Sequence, residues 1–454
     1  MRKSDPFIRR NSAGRSSISK WARRLLALAV LLLFAFLLYK IPFINDRLAW
    51  RVSNLRTQIT YYFNPPDEAV FVPQEEGNIA AAPPTPTAPP LEATSTSSGI
   101  PTPDVTAVPL PVSIKLDGFD YVDQHNRWNY CGPANLTMAL NFWGWGGDRD
   151  EVAAYVKPGI GGADGQEDKN VMPYEMEDFV ESQTGMQAVV RVGGEPELLK
   201  RLISSGFPVI VEKGYYERDY TGKLGWLGHY QFVTGYDEDA GFFLVQDTYL
   251  KTGENGTGAN MQWPLDDFVD NWRSFNFLFI VVYPEESRAE LIEALGPWAD
   301  EAWADGHALE IAQQESTSLS GIDQFFAWFN TGSSHVRLFE YVDAASAYDF
   351  AFQLYAGLES DDSTRPYRIM WYQTGPYFAY YFSGRYLDTI NLASTTLNET
   401  IAEPTLEESL YWRGLAYEAI GELDNAIADY EETVRLNPNF DPGWAQLERL
   451  GLSG

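Results

Sequence analysis

Cys131, the only cysteine among 454 residues, is the position in this chain best suited to nucleophilic chemistry. A thiol becomes a nucleophile through partial exposure, a depressed pKa and a nearby base. The base must come from four histidines, His125, His229, His307 and His335. His229 is the best placed. It lies in Gly228-His229-Tyr230-Gln231-Phe232-Val233-Thr234-Gly235-Tyr236-Asp237, an aromatic and β-branched run that predicts a strand ending on a glycine turn. A second strand over 241–246 leads into Asp247. Paired as a hairpin, the two strands would set Asp247 near His229, where a carboxylate fixes the tautomer and orientation of an imidazole.

The element that must position the thiol follows it directly. Leu136, Ala139, Leu140 and Trp143 recur at helical spacing, so a helix is predicted from about Pro133, with Gly132 supplying a sharp turn before it. Cys131 then sits at the helix N-terminus, where unpaired N–H groups and the macrodipole favour a thiolate. The plainer reading, a small buried hydrophobe, fits poorly beside Gly-Pro at a helix start.

Cys131-Gly132-Pro133-Ala134, a strand His229 ending in Gly235-Tyr236-Asp237, and Asp247 on the next strand resemble the papain-like cysteine peptidases that remove double-glycine leaders from bacteriocins. The stand-alone, peptidase-like relatives of those enzymes are more similar still. The resemblance covers about Ile114 to Tyr283. It implies Cys131 as nucleophile, His229 as general base and then acid, and Asp247 as orienting residue. It also implies an amide oxyanion donor upstream of the cysteine, for which Gln124 and Asn126 are the two candidates. No G-x-x-x-x-G-K-[ST] loop accompanies the pattern, so processing of an exported leader is not implied.

The expected fold is α+β. Helices are predicted at 148–156, 172–183 and 196–204, and strands at 187–192, 208–212, 229–236, 242–246 and 275–283, with a short helix near 264–272. This is a helical half plus an antiparallel sheet, with nucleophile and base contributed across a cleft. Trp128, Tyr130, Trp143, Tyr215, Tyr216, Trp226 and Tyr230 either line a peptide groove or pack. The glycine- and tyrosine-rich stretch 214–228 reads as a lid beside His229.

Ahead of this domain, residues 1–24 form a basic tail and 25–44 an apolar stretch read as an uncleaved transmembrane anchor, N-terminus cytoplasmic. Residues 45–63 are juxtamembrane, and 64–112 are a Pro/Thr/Ser-rich tether unable to bury a core. The domain itself is assigned 113–285. After it, 286–454 reads as all-α. Glu407 to Pro438 resembles a tetratricopeptide repeat, with Gly414, Tyr417, Gly421, Ala426, Tyr430 and Pro438 in the expected places. A weaker copy aligns Gly384 with Gly421, and a looser one lies near 341–345. Such repeats bind peptides or partner proteins, or act as a stabilising appendage.

The formal charge is −30, and eight basic residues against Asp5 alone in the first 24 leave −37 for the rest, which excludes nucleic acid as a partner. One cysteine and scattered histidines predict neither disulfide nor metal nor cofactor. The sequence thus reads as a membrane-anchored, extracytoplasmic cysteine peptidase acting on a peptide or protein substrate through acyl transfer to Cys131. A reading of a different class is a non-catalytic scaffold that binds a peptide or cell-envelope partner through the cleft and the repeats.

Overall fold

The structure is a computed structural model describing residues 71–74, 109–125, 127, 129–158, 169–218, 224–358, 365–398 and 406–452, with isolated positions at 24, 29–31, 33 and 59. Among the described residues no helix is long and apolar enough to cross a membrane. The expected anchor at 25–44 lies outside them apart from 29–31 and 33.

Helix α1 (Cys131–Phe142) is central, with every residue from Cys131 to Leu140 buried. It begins two residues earlier than its apolar spacing suggested, so Cys131 lies inside the first turn. The backbone reversal ahead of it falls at Asn129, at φ 45°, rather than at Gly132. Gly132 instead permits close approach, because a Cβ there would stand 3.2 Å from the Val171 Cβ. Two helices extend this layer, α2 (Arg149–Val156) and α3 (Pro173–Phe179), the latter continuing as a π turn over Val180–Thr184. Asp148 caps α2 by accepting from the N–H groups of Asp150 and Glu151, which explains a start one residue later than expected.

The sheet is built from β1 (Ser113–Lys115), β2 (Gln187–Arg191), β3 (Val209–Arg218), β4 (Leu224–Asp237), β5 (Phe242–Gln246), β6 (Met261–Pro264) and β7 (Phe279–Tyr283). Its order is β2-β7-β3-β4-β5-β6, with β1 on the end of β4 and every pairing antiparallel. Alternation divides the strands between two cores. Ile210, Tyr230, Phe232, Ile280 and Val282 face α1, while Val209, Val211, Val233, Phe279 and Val281 face α4 (Pro196–Ser204) and α5 (Leu265–Arg273). That second core continues through α6 (Arg288–Leu295) to Trp298 and Ala304, so packing does not break at residue 285.

The described parts of the expected lid, 214–218 and 224–228, are instead paired strand. Strands β3 and β4 stay in register out to Arg218↔Leu224, and residues 219–223 lie outside the described set. Trp226 on this hairpin stacks on Phe275 at 5.6 Å and lies 5.6 Å from both Phe326 and Tyr372. Its rings are buried in the helical region, so they hold the hairpin as a structural arm rather than a moving cover.

The helical region continues with α7 (Glu301–Ser318), α8 (Gly321–Arg337), α9 (Tyr341–Gly357), α10 (Ile369–Tyr372), α11 (Gly375–Phe382), α12 (Tyr386–Asn398), α13 (Glu407–Ala419), α14 (Leu423–Leu436) and α15 (Asp441–Arg449). Three pairs, α8/α9, α11/α12 and α13/α14, fold back on short turns whose left-handed residues are Phe339, Gly384 and Gly421. A Cβ on Gly332 would meet the Tyr348 ring at 2.8 Å, and one on Gly414 the Tyr430 ring at 2.7 Å. Each glycine precedes its tyrosine by the same sixteen residues. One packing rule thus recurs in the first and last pairs: a large ring on one helix faces a small residue on its neighbour.

The last pair is fastened to α3 by buried polar groups. Lys169 Nζ lies 2.7 Å from Glu175 and 2.8 Å from Glu407. Asn437 Nδ2 donates to Glu407 Oε1 at 2.9 Å, and Tyr174 donates its hydroxyl proton to Glu408 at 2.8 Å. Two carboxylates share one buried ammonium, so removing it strands both. Lys169→Met is expected to cost about 3–5 kcal/mol, as losses of a buried ionic partner do. Thermal unfolding checks this, and an unchanged Tm would reject the seam as a stabilising contact.

Candidate active site

Cys131, His229 and Asp247 come together where α1 meets β4 and the end of β5. Helix α1 is tied to β4 by Asn135, whose Nδ2 donates to the carbonyls of Cys131 at 2.8 Å and Tyr230 at 2.9 Å. His229 and the N–H groups of Tyr230 and Gly132 are near enough to the Cys131 thiol to act on its proton equilibrium. His229 Nε2 faces Asp247 Oδ1 at 3.2 Å, which leaves Nδ1 for the thiol. The β4/β5 hairpin produces this approach. Its partners include Phe232↔Gln246, with a bulge between Val233 and Gly235.

Burial alone would push the thiol up. The hydrogen bond and charge of His229, with the two N–H groups, overcome it and lower the Cys131 pKa. Burial would likewise drive the imidazole neutral, but the Asp247 charge and hydrogen bond, then the Cys131 sulfur, raise His229 to about 9. Burial opposes an ionised Asp247 too, yet the charges of His229 and Lys213 and the Leu250 N–H hold its carboxyl well below the usual range. These directions favour a thiolate–imidazolium pair with an ionised carboxylate behind it.

Asp247 is held from every side. Gln231 Nε2 donates to Oδ2 at 2.5 Å, and the N–H groups of Tyr249 and Leu250 donate to Oδ1 at 2.9 and 2.8 Å. The sequence reading missed Gln231, though it lies two residues beyond His229 on one strand and therefore shares its face. Lys213 was missed as well. It pairs directly with His229 across the ladder, is fully buried, and has no hydrogen-bond partner for Nζ among the described residues. Its ammonium lies 3.0 Å from the centre of the Trp263 ring, and burial lowers its pKa to about 7 against the pull of Asp247.

Gln124 sits beside this group. Its N–H donates to the Thr248 carbonyl at 2.9 Å, and its Oε1 accepts from Thr248 Oγ1 at 2.8 Å, so its amide nitrogen is the donor end. Asn126 and Trp128 lie outside the described residues. The other histidines have other partners: His125 stacks on Tyr249 at 5.9 Å, His307 Nε2 is 2.8 Å from Glu195, and His335 Nδ1 is 2.7 Å from Glu340. His335, Glu340 and Asp343 form the one group of three potential metal ligands among the described residues, at an accessible helix turn away from the thiol.

The expected partial exposure of Cys131 is not found. Cys131 is 8% and His229 4% exposed. Two rings pack against His229 and the residue before it. Tyr215 packs edge-on against His229 at 5.6 Å, and Tyr372 of α10 lies over Gly228, where a Cβ would come within 2.7 Å of its ring. Tyr230, Tyr215 and Trp226, weighed above as groove lining, are buried packing.

Because His229 is raised, its pairing stabilises the fold fully below the ordinary histidine value of about 6.5. That stabilisation is lost as pH rises through about 9. The depressed Asp247 contributes above the ordinary carboxylate value of about 3.9, and its contribution is lost as pH falls toward its own lower value. In NMR titration of the histidine-labelled chain, one imidazole should stay charged until about pH 9, and Asp247→Asn should bring that midpoint down toward about 6.5. Four signals that all lose their charge by neutral pH would contradict the pairing.

The Peptidase C39 like family matches residues 116–279, and the tetratricopeptide repeat family matches residues 407–440. The first match encloses Gln124, Cys131, His229 and Asp247. The second encloses the α13/α14 pair. No curated protein matches the chain in sequence. A crystal structure of a C39-like peptidase from Bacillus anthracis is similar over 37% of this chain and 96% of its own, at 15% identity and a TM-score of 0.30. The central segment of the chain is thus peptidase C39-like, and its C-terminal region carries a tetratricopeptide repeat.

Proposed function

We propose that the chain is a cysteine peptidase of papain-like fold that hydrolyses peptide bonds through Cys131, His229 and Asp247. The observation that carries this reading is the buried hydrogen-bonded series from Cys131 through His229 to Asp247, at a helix N-terminus inside the peptidase C39-like segment. In the reaction, the Cys131 thiolate attacks the scissile carbonyl carbon and a C–S bond forms. The oxyanion is stabilised by the Gln124 amide, and collapse breaks the C–N bond as imidazolium His229 gives its proton to the leaving amine. Neutral His229 then takes a proton from water, which attacks the thioester; the carboxylic acid leaves and the thiolate is restored. Asp247 holds the imidazole and keeps it cationic between turnovers.

By the same proposal residues 1–24 are cytoplasmic, 25–44 anchor the chain, 45–63 and 64–112 carry it clear of the surface, and residues from 113 onward work outside the cell, with the 286–454 repeats open to a protein partner. The near-complete burial of Cys131 favours a second reading, a peptide- or envelope-binding scaffold without turnover.

Incubating the full chain with a peptide library and reading products by mass spectrometry separates the two. Cleavage is expected, with kcat/KM lowered at least about a thousandfold in Cys131→Ala and in Asp247→Asn. No cleavage by the unmodified chain, or equal cleavage by Cys131→Ala, would reject the peptidase reading.

A further inference from the structure

Four residues far ahead of the catalytic segment, Phe71-Val72-Pro73-Gln74, are seated on the helical region. Phe71 is 6% exposed, and its ring meets Phe352 of α9 edge-on at 5.1 Å and Tyr380 of α11 at 5.9 Å. Gln74 donates its backbone N–H to Asp388 Oδ1 of α12 at 2.8 Å. Asp388 is itself fixed, because Arg385 Nε donates to its other oxygen at 2.9 Å while the Arg385 NH1 donates to Asp349 at 2.7 Å. Between the two anchor points Val72 is 51% exposed, as expected of an extended segment whose side chains alternate in direction.

This arrangement has the parts of a peptide site. There is a closed aromatic socket and a buried carboxylate held by the Arg385 guanidinium, which Asp349 fixes in turn. That carboxylate accepts from a main-chain N–H three residues past the socket, so recognition needs one aromatic side chain and otherwise reads backbone. The site lies on α9, α11 and α12, outside the single repeat that the family comparison covers.

We propose that this cleft is a peptide-binding site for an extended segment bearing an aromatic anchor and a free N–H three residues later. Residues 71–74 fill it in cis, and a partner protein presenting a segment of the same chemistry enters by displacing them. The cis segment joins the described catalytic region through the 34 residues between Gln74 and Pro109. A tethered competitor of that kind acts at an effective concentration of about 1 mM. A free peptide therefore competes poorly until the resident phenylalanine is removed.

Fluorescence anisotropy with a labelled peptide of residues 68–77 tests this on the full chain. Saturable binding to Phe71→Ala, at least about tenfold tighter than to the unmodified chain, is expected. The same peptide with its phenylalanine replaced by alanine should not bind. Gln74→Pro, which removes the donor and leaves the socket untouched, should give an intermediate gain and serves if Phe71→Ala does not fold. Absence of saturable binding to both variants, equal binding to variant and unmodified chain, or binding that ignores the peptide's phenylalanine would each overturn the proposal.

Discussion

Asp247 is a fully buried carboxylate, and that single placement constrains most of what surrounds it. An ionised carboxylate out of water is costly unless cations and N–H donors surround it. Here it takes donors from Gln231, Tyr249 and Leu250, faces the His229 ring, and has the Lys213 ammonium nearby. The consequence runs outward to the thiol. A carboxylate that cannot easily take up a proton keeps His229 cationic, and a cationic imidazole lowers the Cys131 pKa in a site whose dryness would otherwise raise it. The helix N-terminus contributes the Gly132 N–H, but the larger lowering causes are the hydrogen bond and charge of His229.

The helical region belongs to the same physical unit. Trp226 on the β3–β4 hairpin and Phe275 beside it share a core with Phe326, Tyr348, Tyr372 and Tyr380. The Lys169–Glu175–Glu407 seam closes the far end of the repeats onto α3. Tyr372 then covers Gly228, the residue directly before His229. Tyr372 thereby ties the packing of the repeats to the strand that carries His229. The helical region thus packs against the strand and helix that frame the candidate site.

Much of the geometry of the candidate site was legible because it rests on local rules. The Cys131 helix followed from apolar spacing, and the hairpin that delivers Asp247 to His229 followed from two β-rich runs around a glycine turn. The strand at 242–246 and the helix at 196–204 have the expected bounds. What stayed hidden depends on long-range contact. Stretch 214–228 reads as a lid because glycine and tyrosine suit loops, but in its described parts, 214–218 and 224–228, tertiary burial of Tyr215 and Trp226 goes with strand. Lys213 looks like an ordinary surface lysine until the β3/β4 register sets it opposite His229. The exposure expected of Cys131 failed because the thiol lies in a core shared with sheet residues such as Tyr230, Phe232 and Ile280, a long-range packing to which no local pattern points.

The central claim is that Cys131 rests as a thiolate because of His229, and the pH dependence of its alkylation tests this directly. Iodoacetamide labelling of the one thiol in the full chain should give a rate–pH midpoint well below the free-thiol value of about 8.5, with His229→Ala moving the midpoint upward. The shape of the profile, rather than its absolute rate, carries the answer, so restricted access to a covered sulfur does not obscure it. A midpoint at or above about 8.5 that ignores His229, or a thiol that never labels, would contradict the account.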